Sequence, residues 1–318
     1  MKAKAGRYLV GLLLAVAMSF GVASATLAKD VAILTTDSLI STKRTISGAT
    51  RTISKLHPDV TFKHFLLSSV PQERAAQIDS VKAVRPSVVL TVGSSATETA
   101  KASFTKTPIV FAAVLYPVLS GFVESDSRPG KNITGASLNI EIDIQFKKFQ
   151  RIVPGLKNVG VLYSKNTARL IPSSKVIAQQ LGIRLLPLEV NDPKDLPEAF
   201  DSLANICDGL WSVADPNLFS PQATKFIVLN TIRRGLPFMG FSRYVVESGA
   251  LFALDFDYKA VGKQAGAIVG QILDGADPGM ISVVSPDIIW FHYNEKTARL
   301  VNLTVPEDLV AVAKEVYR

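Results

Sequence analysis

Short β-branched runs and stretches of helical period alternate from about residue 30 onward. Residues 31–36 form the first expected strand and 38–56 the first helix, with Ile46, Ala49, Ile53 and Leu56 on one face. A strand over 60–67, a helix over 71–84 with Pro71 in its first turn, and a strand over 87–93 follow. A helix over 94–104 and a strand over 108–114 extend the series. Apolar strands separated by helices must be covered on both faces, which predicts a parallel sheet between helical layers. The rhythm breaks at residues 124–132 (ESDSRPGKN), a polar stretch rich in turn formers, and 133–139 reads as a crossing segment. The alternation then restarts with strand 158–164, helix 169–181, strand 183–190 and helix 194–204, and continues through 209–215, 220–233, 236–241 and 251–257. The expected fold class is α/β, two doubly wound parallel-sheet lobes, although no convincing sequence repeat accompanies the duplicated pattern.

A long helix over 258–274 carries Val261, Ala265, Ile268 and Ile272 on one stripe and Gly262, Gly266 and Gly270 on another. Charge and length argue against membrane insertion, so close packing of this helix on a sheet is the expected use of the glycines. Ahead of the first strand, Lys2, Lys4 and Arg7 precede an uncharged run over 9–20 and then small residues, with Ala23 and Ala25, or Ala28, at a cleavage point. Residues 1–28 are therefore expected to be a cleaved signal peptide, the apolar run being shorter than the roughly 20 residues a span needs. No Cys lies near that junction to carry a lipoprotein anchor, and no later stretch approaches a span. An exported, soluble and monomeric mature chain is expected, located in the periplasm.

The formal charge is +8, and +5 without residues 1–28. The excess lies along helices, as at Lys43, Arg44, Arg51 and Lys55, without a dense basic run interleaved with aromatics, so nucleic acid is not an expected partner. The single cysteine, Cys207, can form no intramolecular disulfide and reads as a small semi-buried residue before a turn.

Signatures of chemistry are few. The chain has no G-x-G-x-x-G after its first strand, no phosphate-binding G-x-x-x-x-G-K-[ST], and no G-x-S-x-G nucleophile turn. His57, His64 and His292 are scattered without metal-ligand spacing, and His57, before Pro58, reads as a surface residue. Asp255 and Asp257 read as strand-end hydrogen-bonding groups rather than an acid–base pair. No metal, cofactor or catalytic residue is expected. Polar residues instead collect where strands end, the place where open α/β sheets bind ligands. These are Thr36 and Asp37; Ser94, Ser95 and Ala96; Tyr116; Ser164 and Asn166; Asp215 and Asn217; and Ser242, Arg243 and Asp257. Hydroxyls and free amides opening the helix after Gly93 suit an anionic group, though they also suit an ordinary cap. Tyr116, Trp211, Phe241 and Tyr244 are candidate apolar walls, with core packing the stronger reading for Trp211.

At these residues the chain resembles the ABC transporter substrate-binding family that includes tryptophan/tyrosine-type binding proteins. The matching phrases are VVLTVGSSATETA, TPIVFAAVLYPVLSGFV, PGKNITGASLNI, KNVGVLYSKN and GALFALDFDYKAVGKQAG. The resemblance implies a type I periplasmic-binding-protein fold with three crossings and a ligand between the lobes. The lobes would be 29–138 plus 258–283 and 139–257 plus 284–318. It also implies a membrane permease with an ATPase subunit as partner, and ligand contacts at the loop after Gly93, at Ser164, Asn166 and Asp215, and at Asp257. The family often has Asp-Pro where this chain has Tyr116-Pro117, and an acid near Phe241-Ser242-Arg243. Loss of acids and gain of an arginine point toward a carboxylate or similar anion, with Arg243 as its partner and pairing of Arg243 with Glu247 as the competing arrangement. Two further functions remain open: a ligand-sensing subunit for a membrane sensor, and an enzyme on a flavodoxin-like fold, for which no nucleophile and base converge.

Overall fold

The computed structural model describes residues 29–318; the expected signal peptide lies outside the described residues. The β-branched runs form the strands of two sheets, buried at the centre of each sheet and more exposed at three of the four edges. In the first half, β1 (Asp30–Thr35), α1 (Ile40–Leu56), β2 (Thr61–Leu66), α2 (Pro71–Val84) and β3 (Val88–Val92) are followed by α3 (Ser94–Ser103), β4 (Ile109–Val114) and β5 (Ile133–Ser137). The strands make one parallel sheet in the order β2-β1-β3-β4-β5. Alternate residues serve opposite faces. Val31, Ile33, Leu90 and Val110 pack toward α1 on one side, and Ala32, Leu34, Val89 and Phe111 toward α2 and α3 on the other.

The second half contains α4 (Ile142–Ile152), β6 (Asn158–Tyr163), α5 (Leu170–Gln180), β7 (Arg184–Glu189), α6 (Leu196–Ala204) and β8 (Gly209–Ser212). It continues through α7 (Pro221–Arg233), β9 (Phe238–Gly240), α8 (Arg243–Glu247) and β10 (Phe252–Phe256). The chain then returns to the first sheet with α9 (Tyr258–Leu273) and comes back for β11 (Ile289–Asn294), α10 (Glu295–Leu300), α11 (Glu307–Ala311) and β12 (Ala313–Tyr317). The second sheet runs β12-β11-β10-β9-β8-β6-β7 and is parallel except where β11 meets β10 antiparallel. Its two cores are built on Phe146, Phe149, Trp211 and Phe252 on one face and Phe200, Leu210 and Phe238 on the other.

The chain passes between the sheets three times: after β5, between β10 and α9, and before β11. These passages lie together. The amide of Ser137 donates to the Val284 carbonyl at 2.8 Å, Asp257 to Ile288 at 3.4 Å, and the Ser285 hydroxyl to Glu141 at 2.9 Å.

Several expectations change in detail. Residues 133–137, read as a crossing, form the fifth strand, because their small and β-branched side chains bury completely beside β4; the crossing begins at Leu138. The glycine stripe of α9 packs not on a sheet but on α1. A Cβ at Gly262 would strike the Thr45 carbonyl, one at Gly266 the Ala49 carbonyl, and one at Gly48 the Lys259 carbonyl. Val261, Ala265 and Ile268, the other stripe, bury in the core against the sheet. His57 is buried rather than on the surface, with Nε2 3.2 Å from the Gly270 carbonyl and 3.5 Å from Asp274.

Candidate ligand-binding cleft

Parallel strands followed by helices place their polar carboxyl-end loops on one edge of each sheet. On the first sheet these are the loops after β1, β3 and β4. Thr36 is exposed, and Asp37 accepts from the Leu39 amide at 3.0 Å and the Thr42 hydroxyl at 2.5 Å, fixing the entry to α1. Gly93, at φ 86°, turns the chain into α3, and the Thr97 hydroxyl bonds both Thr91 and the Gly93 carbonyl at 2.8 Å. Ser94 and Ser95 are exposed and no side chain caps the helix, so its first-turn amides remain available to an acceptor. The side chain of Ala96 lies in the core, so only its backbone can serve a ligand.

The end of β4 is distorted. A bulge at Ala113 (φ 57°) is followed by Tyr116 at φ 50°, a left-handed conformation that costs a tyrosine of order 1–3 kcal/mol. The Asn139 side chain holds it by accepting from the Tyr116 amide at 2.8 Å. This turn carries the ring toward the second sheet, close enough for the Ala214 backbone and the Asp215 charge to bear on the hydroxyl's ionisation. Burial, reinforced by the Asp215 charge against the relief from the Ala214 amide, pushes the Tyr116 hydroxyl up to about 12.

On the second sheet, the loops after β6 and β8 are clasped together. Asp215 is buried, and its Oδ2 accepts from the Ser164 amide (2.9 Å), the Ser164 hydroxyl (2.7 Å) and the Thr167 hydroxyl (2.6 Å), while Oδ1 accepts from the Asn217 amide (3.0 Å). Burial opposes ionisation, but the Thr167 and Ser164 hydrogen bonds outweigh it and hold the carboxyl below its ordinary value. Ser164 and Asp215 thus bind each other, which leaves the exposed Asn166 and Asn217 as the side chains those loops present to solvent.

Beyond β9, Ser242 begins α8 and the Arg243 amide points at Asp255 Oδ2, 3.3 Å away. The Arg243 guanidinium lies 4.5 Å over the Tyr244 ring, bonds the Tyr244 hydroxyl at 3.1 Å and reaches Glu315 on β12 at 3.5 Å. Its ion-pair partner is therefore Glu315 and not Glu247. Asp255 is buried and its carboxyl pushed up by burial, only partly offset by the Phe256 and Arg243 amides. Asp257 caps α9 through the Lys259 amide at 2.8 Å. Trp211 is a core residue, edge-on to Phe146, with its indole N–H bonded to Gln145 at 2.8 Å. Phe241 meets Phe219 edge-on at 5.0 Å, and Tyr244 is exposed.

Asn139, Thr167 and Ala214 were not singled out from sequence. Thr167 extends the polar run that begins at Ser164, a signal that was present; Asn139 and Ala214 act through contacts that only the fold creates. Among the described residues no group of three or more His, Cys, Asp or Glu could hold a metal ion, and no helix is long and apolar enough to cross a membrane.

Two sheets with facing polar edges, joined by three adjacent passages, define a two-lobed binding protein of the type I periplasmic kind. The family model described as ABC transporter substrate binding protein matches residues 21–317, and the chain belongs to that family. It is 27% identical over 213 residues to a tyrosine-binding protein of Clostridioides difficile, a match covering 65% of this chain and 61% of that relative's length. Its fold is that of a ligand-free, open substrate binding protein with adhesive properties from Clostridium difficile (TM-score 0.76, 17% identity, 91% of this chain and 99% of that one). It is likewise similar to an ABC domain from Streptococcus pneumonia in complex with L-Trp (TM-score 0.66, 20% identity, 91% and 99% coverage).

Proposed function

We propose that this chain is the extracytoplasmic receptor of an ABC importer. It closes its lobes, 29–138 plus 258–283 and 139–257 plus 284–318, on a small amino-acid-like carboxylate, and passes the ligand to a membrane permease with an ATPase subunit. The observation that carries this reading is a pair of mainly parallel sheets, each with polar loops at strand carboxyl ends, joined by three passages that are hydrogen-bonded to one another. Capture between lobes needs no cofactor and no reacting side chain. The uncapped start of α3 supplies amides and hydroxyls for a carboxylate, and Arg243 supplies a cation on the opposite edge. The tyrosine-binding relative and the L-Trp complex make an aromatic amino acid the first ligand to test.

A thermal-shift series discriminates the chemistry. L-Tyr and L-Trp are compared with tyramine, which lacks the carboxylate, and 3-(4-hydroxyphenyl)propionate, which lacks the amine. A ligand at about a hundred times its Kd stabilises the fold by roughly 2.7 kcal/mol. Stabilisation by the carboxylate compounds and none by tyramine is the expected pattern; stabilisation by tyramine alone would refute an anion-selective cleft.

A further inference from the structure

The outer face of the first sheet carries a charge pattern the ligand cleft does not use. Helices α1 and α9 together contain no Asp or Glu, yet hold Lys43, Arg44, Arg51, Lys55, Lys259 and Lys263. Among the described residues none of these six takes part in a salt bridge with a carboxylate. The glycine contacts at Gly48, Gly262 and Gly266 draw the two helices together in parallel. A groove of about 470 Å³ lies between them, floored by Gly48, Thr52, Leu56 and Ala267 and walled by Arg51 and Lys55 on one side and Lys259 and Lys263 on the other.

This arrangement works against the fold's own stability. Arg51 and Lys55 are four residues apart on one helix, as are Lys259 and Lys263 on the other, and like charges at that spacing repel. Lys43 also stands in the first turn of α1, where the helix dipole disfavours a cation and no acid shares that turn. Leu56, 53% exposed, adds an apolar group to the floor. Two rows of unneutralised cations flanking a recessed apolar strip match a segment with an apolar stripe flanked by carboxylates. Basic residues alone can attract an anionic bilayer, but insertion requires protruding apolar or aromatic groups, and the aromatic ring on these helices, Tyr258, packs edge-on against Phe256 at 5.2 Å.

We infer that the α1/α9 groove is a docking surface for an acidic amphipathic segment of a protein partner, separate from the ligand cleft. The test uses a fluorescein-labelled helical peptide with a Leu stripe between two rows of Glu, its Glu→Gln counterpart, and phosphatidylglycerol vesicles. Wild-type protein is expected to bind the Glu peptide, more weakly as salt rises, and to bind neither the Gln peptide nor the vesicles comparably. The double variant Arg51→Glu/Lys263→Glu should weaken peptide binding by roughly tenfold or more. Lys175→Glu/Lys225→Glu, a charge reversal on exposed positions of the second lobe, should leave it unchanged. Equal loss in both variants, no binding of the Glu peptide, or preference for vesicles over peptide overturns the inference. Thermal unfolding of the groove variant, expected at or above the wild-type midpoint, guards against misfolding. Its response to L-Tyr and L-Trp should match wild type, so failure of the groove and failure of the receptor reading are separate results.

Discussion

The Asp215 carboxylate receives four hydrogen bonds from two loops and holds the lobe-two edge in shape. Asp215→Asn places an N–H among donors, and the expected loss is roughly 2–3 kcal/mol of unfolding free energy, read by chemical denaturation at neutral pH. The sign of its pH dependence follows from the lowered carboxyl. The wild-type advantage is complete above the unfolded value of about 3.9 and declines as pH falls through that value toward the lower folded one. The gap between wild type and variant should therefore narrow in acid and hold steady from pH 6 to 8; a gap that widens in acid would contradict the clasp. Arg243 poses a question of binding. Its guanidinium is partly engaged by Glu315 and Tyr244, and a ligand carboxylate would compete for the same planar fork. Arg243→Lys keeps the charge but loses the fork, so calorimetry with the carboxylate ligand should show a loss of about 1.5–3 kcal/mol; unchanged affinity would remove Arg243 from the site. Which polar residues belong at strand ends was legible in the sequence. That Ser164 and Asp215 bind each other was not, because the pairing depends on which loops the fold brings together across 51 positions.

Elements repeat the lesson at larger scale. Strands of the first sheet were legible because Val31–Leu34 and Val88–Leu90 are buried on both faces and so read as continuous apolar runs. Helix α4 was less legible: Phe146, Phe149 and Ile152 follow helical spacing, but over only eleven residues and after a turn-rich stretch that reads as a boundary. Strand β12 (AKEVY) carries Lys314 and Glu315 and lies at a sheet edge, where charges guard against stray pairing and mask the apolar alternation. The glycines of α9 do serve close packing, but against α1 and not against a sheet. Their real partner sets a prediction: Gly262→Ala forces a methyl against the Thr45 carbonyl, and separation of α1 from α9 should cost about 1–3 kcal/mol by denaturant melts. Gly275→Ala, where nothing lies near the added carbon but φ is 100°, should act only through backbone strain and leave the α1/α9 groove intact.

At the scale of the molecule, the proposed receptor would close by rotation of one sheet and its helices against the other about the three adjacent passages. Hydrogen bonds from Ser137, Asp257 and Ser285 tie the passages to one another, as a hinge acting as a unit would require. Tyr116 is the side chain best placed to govern that bend. Asn139, within the first passage, pins its amide, and its hydroxyl is near enough to Ala214 and Asp215 of the second sheet to feel both. On the receptor reading, an interaction of that hydroxyl with the opposite lobe would favour closure without ligand, and a ligand that binds the closed form would shift the same equilibrium further. Tyr116→Phe keeps the ring and removes the hydroxyl, which should raise the open population without ligand. Small-angle scattering on wild type and Tyr116→Phe, each with and without a saturating ligand from the thermal-shift series, reads this directly. The variant is expected to have the larger ligand-free radius of gyration, to compact more on saturation, and to bind more weakly because ligand must supply the closing free energy that the hydroxyl supplies in wild type. Identical radii in all four states would refute both the latch and the hinge. Compaction of equal size in wild type and variant would retain the hinge and dismiss Tyr116 as its latch.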